Sequence, residues 1–410
     1  SSSIVSAMSS RRRRLQSEPQ AGLFGGNASG SQASSSSSRP PPPYDANGVA
    51  TFSFAHLQRL YDRLSQFRPA DLDKGGGDVV ETVRQITEAL IWGEQNDAHF
   101  FDFFCEKSIL SDFVRVLGLA KAPKVVKVQL LQSLSMLVSN ITQRTSVYYL
   151  LSNNHVNRLI QTSLDFEDED ILAHYITLMK SLAMRLDLET IKFFFIQQPG
   201  TPGPTFPLYT EATKFFSHRD QMVRATVRTI TLQVYGVEDE DMRRFVLRHA
   251  AEDYFTRLAC HLRDLWLRLG TAAAAACERD LAAVRSHNEL QQDMQIYLSD
   301  VFELGVVELN EILADRILNY AALPGLLAGV AALEHRGGGD EAREPEGGNV
   351  LTPAVALFLL RQVLETFRCT ILLDTLVSAL LHPAVPAALA YAIPGGELLG
   401  LPEGADLQDG

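Results

Sequence analysis

Between Phe52 and Leu333 the apolar residues recur at helical spacing with few interruptions. Leu130, Leu131, Leu134, Leu137, Val138 and Ile141 fall on one side of a helix. Ile171, Leu172, Tyr175, Ile176, Met179, Leu182 and Leu186 make a second such stripe, and Met222, Val223, Thr226, Val227, Ile230 and Val234 a third. No alternating run bounded by hairpin turns occurs, and no strand–helix–strand rhythm. The pattern predicts an all-α chain.

The stripes also repeat. Phe104, Ile109, Phe113 and Leu117 are matched 47 positions on by Leu151, Val156, Ile160 and Leu164. Val126, Leu130, Leu131 and Leu137 are matched 45 positions on by Ile171, Tyr175, Ile176 and Leu182. A period near 45 with paired helices is that of armadillo and HEAT arrays. Each helix pair exposes an apolar face until a neighbour covers it, so the units are expected to stack into an α-solenoid. Asp165–Asp170, "DFEDED", precedes the Ile171 stripe, where negative charge favours a helix N-terminus, and reads as a cap.

One stretch breaks this order. Pro199, Pro202, Pro204 and Pro207 crowd into nine residues before "LYTEATKFF". Prolines remove helix donors and push the residues before them out of the helical region. The reading is a helix ending near Gln197, extended chain over Thr205–Tyr209, a helix from Thr210, and Ser217 capping the next. In extended chain Phe206 and Leu208 point the same way on either side of Pro207. They are either pegs of a structural clip between repeats or an exposed docking hook. Just beyond, Arg224 and Arg228 sit four apart outside the apolar stripe, with Lys214 and Arg219 before them. They form a candidate basic surface patch for an acidic partner or a lipid headgroup.

Residues 1–49 are rich in Ser, Arg, Pro and Gly and are expected to be a disordered tail, as they cannot bury enough apolar surface to offset chain entropy. Within it, Arg11, Arg12, Arg13 and Arg14 could touch anionic lipid, and Pro40–Pro43 reads as a solvated linker. The helical-repeat domain is expected over 50–333, with Gly270–Asp280 as a loop or frayed helix. A flexible insertion follows over 334–350, then further helices of the same array over 351–382 and a poorly ordered end over 383–410. The chain starts at Ser1 and ends in a Gly-containing tail, so a piece of a longer protein is expected.

Composition narrows the chemistry. The net charge of -12 argues against nucleic acid as a partner. Cys105, Cys260, Cys277 and Cys369 lie far apart, which fits a reducing compartment. His249 and His261 flank Cys260, but adjacent residues point apart on a helix, and structural zinc uses four spaced ligands. There is no glycine-rich phosphate loop and no nucleophile elbow. The longest apolar run, Ala321–Leu333, is interrupted by Pro324, Gly325 and Gly329 and is too short to span a bilayer. The expectation is a protein without enzyme activity, cofactor, metal or small-molecule substrate, acting through its surface. An importin-like carrier would need a ladder of tryptophans, and only Trp92 and Trp266 exist.

The segment "TFPLYTEATKFFSHRDQMVRATVRTITLQVY" (Thr205–Tyr235) resembles the one that gives the FPL-domain family its name. "ETVRQITEALIWGEQNDAHFFDFFCEK" (Glu81–Lys107), "VQLLQSLSMLVSNI" (Val128–Ile141), "TSVYYLLSNNHVN" (Thr145–Asn157) and "FEDEDILAHYITLMKSLAMRL" (Phe166–Leu186) match in order. The likeness thins towards His382. The resemblance implies a peripheral adaptor or scaffold on the cytosolic face of endosomes, lysosome or vacuole, or Golgi. Its role there would be in membrane trafficking and autophagy, with protein partners and contact with anionic membrane. The alternative it implies is a scaffold subunit of a ubiquitin-ligase complex acting in mitophagy. A RING of about eight paired Cys/His ligands cannot be assembled from this chain. The lectin label of animal members finds neither a disulfide framework nor a calcium triad here.

Overall fold

The computed structural model describes residues 52–67, 76–197, 200, 203–276, 281–331 and 351–381. The tail with Arg11–Arg14, the 334–350 insertion, Cys277 and the 383–410 end lie outside them.

The first helices are α1 (Phe54–Gln66) and α2 (Gly77–Asn96). Two three-helix repeats follow. The first is α3 (His99–Glu106), α4 (Ile109–Leu117) and α5 (Lys124–Asn140). The second is α6 (Arg144–Leu151), α7 (His155–Ile160) and α8 (Glu169–Ala183). All sixteen residues that define the 47- and 45-residue matches are buried. The corner between the first two helices passes through left-handed backbone in both: Ser108 has φ 53° in the first, Asn153 φ 55° and Asn154 φ 59° in the second. α8 starts on Asp168, whose carboxylate accepts from the N–H of Asp170 (3.0 Å) and Ile171 (3.2 Å).

The third unit departs from this plan. It holds the short α9 (Ile191–Phe194), a hairpin of β1 (Ile196–Gln197) with β2 (Pro204–Thr205), α10 (Pro207–Ala212), a 3-10 turn over Thr213–Phe215, and α11 (Gln221–Tyr235). The strands pair antiparallel, Ile196 with Thr205 and Gln197 with Pro204. Three expectations are corrected here. The preceding helix stops at Phe194, and the extended chain ends at Phe206 instead of running to Tyr209. Pro207 opens α10, because proline at the first helical position lacks only an N–H that would be unpaired anyway. Asp220, not Ser217, caps α11, accepting from Met222 N–H at 2.7 Å.

The long helices α2, α5, α8 and α11 pack on one another in chain order and form the spine of the array. Where α2 meets α3 the approach is close: a Cβ on Gly93 would lie 2.3 Å from Phe100 Cβ. Beyond the spine, α12 (Glu240–His249) passes through a π-helical turn at Ala250–Tyr254 into α13 (Phe255–Ala275). α13 therefore runs as helix to Ala275, inside the 270–280 stretch expected as a loop or frayed helix. α14 (Ala282–Glu303) packs along α13. α15 (Val307–Ile317) widens into a π-helical stretch, Leu318–Leu327, and ends in α16 (Ala328–Ala331). Pro324 lies inside that stretch; its missing N–H and its ring cannot be accommodated in a regular α-turn. α17 (Pro353–Thr366) and α18 (Thr370–Leu381) complete the described residues. One apolar core runs from Leu57 to Leu376. The chain is an all-α, armadillo-type repeat array, and its described strands are the two of the hairpin.

Candidate functional site

The proline-rich break turns Phe206, Pro207 and Leu208 inward. Phe206 and Leu208 are both 0% exposed, so neither side chain is on offer as an exposed hook. Phe206 sits edge-on to Phe195 (6.2 Å) and stacks on Tyr209 (6.1 Å). The two-strand hairpin holds Thr205 in place, its hydroxyl donating to Ile196 O at 3.3 Å.

Behind this junction lies a buried group of tyrosines. Tyr209 and Tyr235 share a hydrogen bond between their hydroxyls at 2.9 Å. Tyr254 and Tyr297 share another at 3.0 Å, and Tyr297 a further one with Thr231 at 2.8 Å. All four phenols are buried, and desolvation drives each above its ordinary range. They remain neutral hydrogen-bonding groups: one bond ties α10 to α11, and the others tie α11 and the π-helical turn to α14. Their spacing along the chain has no period, so no sequence pattern announces them.

The basic patch does not form. Arg224 is buried at 8% exposure and donates through Nη1 to His218 O (2.7 Å) and Arg219 O (2.8 Å). Arg228 is paired with Asp293 at 2.6 Å and lies over the Tyr297 ring at 5.4 Å. Arg228 turns inward because α14 brings a carboxylate and an aromatic face against α11, whereas Arg224 folds back on the carbonyls of the turn before its own helix. Lys214 and Arg219 do reach solvent, but Lys214 pairs with Glu211 (2.5 Å) and Arg219 with Glu169. The four residues thus divide into two structural cations and two neutralised surface ones.

A second buried ionic arrangement joins the regular repeats. Glu94, at the end of α2, accepts from Thr142 N–H (2.7 Å), Gln143 N–H (2.6 Å) and the Thr142 hydroxyl (3.1 Å). These are donors at the start of α6, which no local side chain caps. Arg185, just past α8, donates to the carbonyls of Val138, Ser139 and Ile141 at the end of α5. Burial raises the Glu94 carboxyl. The N–H groups of Gln143 and Thr142, the Thr142 hydroxyl and the Arg185 charge outweigh it and hold the group below its ordinary value. One carboxylate and one guanidinium, contributed by the helices on either side, satisfy both helix ends at the α5–α6 corner. Both residues lie inside the quoted family segments.

Chemistry beyond packing is sparse. Burial, with Asp102 and Glu106 adding to it, pushes the Cys105 thiol up to about 12, far from a reactive thiolate. His249 packs on Tyr209 (5.3 Å) and His261 on Phe216 (5.7 Å), so the imidazoles flanking Cys260 serve as aromatic contacts. Among the described residues no three His, Cys, Asp or Glu side chains are placed to hold a metal ion. No described helix is long and apolar enough to cross a membrane.

A stacked spine of long helices joined by inward-facing polar links defines a helical-repeat protein. Within that class the chain carries an FPL domain: residues 83–235 match the model of that family, described as an uncharacterised conserved protein. It is 36% identical over 333 residues to human protein CLEC16A, covering 80% of this chain and 30% of that one. The Drosophila melanogaster CLEC16A homolog is 39% identical over 279 residues, covering 66% of this chain and 25% of the relative. Arabidopsis thaliana TRANSPARENT TESTA 9 is 30% identical over 336 residues, covering 81% and 38%. The chain thus spans between a quarter and about two-fifths of these relatives. A designed armadillo repeat protein aligns at TM-score 0.37 and 11% identity, covering 62% of this chain and 90% of that one; the fold assignment rests on the repeat packing described above.

Proposed function

We propose that the chain is a non-enzymatic adaptor in endosomal and lysosomal or vacuolar trafficking and autophagy, holding protein partners at the cytosolic face of those membranes. The observation that carries the reading is where the buried ionisable groups go. Glu94, Arg185 and Arg228 join one helix to another, and Arg224 ties down the turn that leads into its own helix. Such an array presents surface rather than chemistry. The trafficking role follows from the family resemblance of the matched segments.

Proximity labelling with the tagged chain in cells tests it. Enrichment of endosomal, lysosomal or autophagic membrane proteins is the expected result, and a diffuse cytosolic profile overturns it. Incubation with purified E1, E2 and ubiquitin tests the non-enzymatic part: no chain formation is expected, and zinc-independent chains would move the protein into a ubiquitin-ligase complex.

A further inference from the structure

An open groove of about 390 Å³ lies between the end of α11, α12 and the start of α15. Its apolar floor includes Val234 and Leu309, both buried, and its walls include Leu247 and Val306, both partly open to solvent. Glu240 on α12 and Glu308 on α15 stand at its rim. Two arginines line it as well, but each is engaged. Arg244 is paired with Asp241, and Arg243 donates through Nε to Val237 O at 3.1 Å. Neither Glu240 nor Glu308 has an ion-pair partner among the described residues. The flanking segments deepen the imbalance: 237–248 and 303–316 together carry eight carboxylates and four arginines.

An apolar slot with unbalanced negative charge at its rim selects by charge as well as shape. Apolar burial supplies the attraction, and a like-charged ligand is rejected at the rim. We propose that this groove docks a basic–apolar peptide segment of a partner protein. An aliphatic side chain of the partner enters between Leu247 and Val306, and lysine or arginine neighbours meet Glu240 and Glu308. The inference deepens the adaptor reading and rests on it for there being a protein partner. Most of its lining lies past residue 235, where the match to the family model ends.

The test uses the full chain and fluorescein-labelled Gly-Lys-Lys-Leu-Lys-Lys-Gly, followed by anisotropy at low ionic strength. Saturable binding is expected, weakening as salt rises. Replacing the four lysines by glutamine or glutamate, or the leucine by alanine, should weaken it by about tenfold or more. The double variant Glu240→Lys, Glu308→Lys should bind the glutamate peptide better than the lysine one while melting like the parent. Equal binding of the glutamine peptide, an unchanged double variant, or no binding by any peptide overturns the proposal. Proximity labelling separates this from the wider reading. Groove binding with no endolysosomal neighbours in cells sinks the adaptor role and leaves the site; the reverse result sinks the site alone.

Discussion

The two regular repeats, residues 99–183, and the third unit, residues 191–235, use the same long-helix spine but hold their corners by different means. In the regular pair the corner between α5 and α6 is polar, with Glu94 and Arg185 reaching in from flanking helices to satisfy bare helix ends. In the third unit the corner is apolar and covalently stiff. Prolines and a two-pair hairpin fix the backbone, and Phe206 and Leu208 fill the space. The first solution allows a strict repeat, because each helix finds its neighbour at a constant offset. The second ends the repeat: α11 still packs on α8, but it also bonds through Thr231 to Tyr297 of α14.

The comparison breaks most severely at the apolar corner. Phe206→Ala should lower unfolding free energy by about 3–5 kcal/mol, and the double change with Leu208→Ala should leave little folded protein, as read by urea denaturation. A double variant that melts like the parent would remove the clip role.

The polar corner comes next. Glu94→Ala strands three donors and should cost about 3 kcal/mol in the same assay. Its pH dependence has a definite sign. The folded value of Glu94 lies below its ordinary 4.5, so its contribution is complete above that value. It is lost as pH falls through the folded value. Glu94→Gln should therefore flatten the acid limb of a stability–pH curve, and an unchanged limb would show that the carboxylate charge is not used.

Smaller effects test the tyrosine ties. Tyr235→Phe removes one hydroxyl from a buried pair without opening a cavity, and should cost about 1 kcal/mol. The smallest effect is expected at the surface. Arg219→Ala removes an exposed ion pair with Glu169 and should leave the unfolding midpoint unchanged. A marked loss there would mean that the pair, and not the hairpin, sets the angle of the third unit.

The regular repeats were legible in the sequence because burial follows local spacing: Leu130, Ile176 and their partners are core residues whichever neighbour covers them. The Asp168 cap was legible for the same reason, since its donors are two and three residues away. The start of α10 at Pro207 was open to the rule for proline at a first helical position, which weighs against reading the prolines as purely extending. The basic patch misled because Arg224 folds back on the turn before its own helix and the fate of Arg228 is decided elsewhere. Asp293 is 65 residues beyond Arg228, and nothing near α11 announces that it will arrive. Glu94 and Arg185 look like ordinary polar helix-end residues until the fold sets both beside one corner.

The Glu94–Arg185 arrangement also bears on how such a chain can change over generations. Simple solenoids gain and lose repeats by duplication or deletion, because each repeat is interchangeable with the next. Here one corner draws on residues before it and after it that are 91 positions apart. An extra copy inserted between them would leave two corners sharing one carboxylate and one guanidinium. The array is therefore indivisible at this point, and its lineage can drift in sequence far more readily than in repeat number.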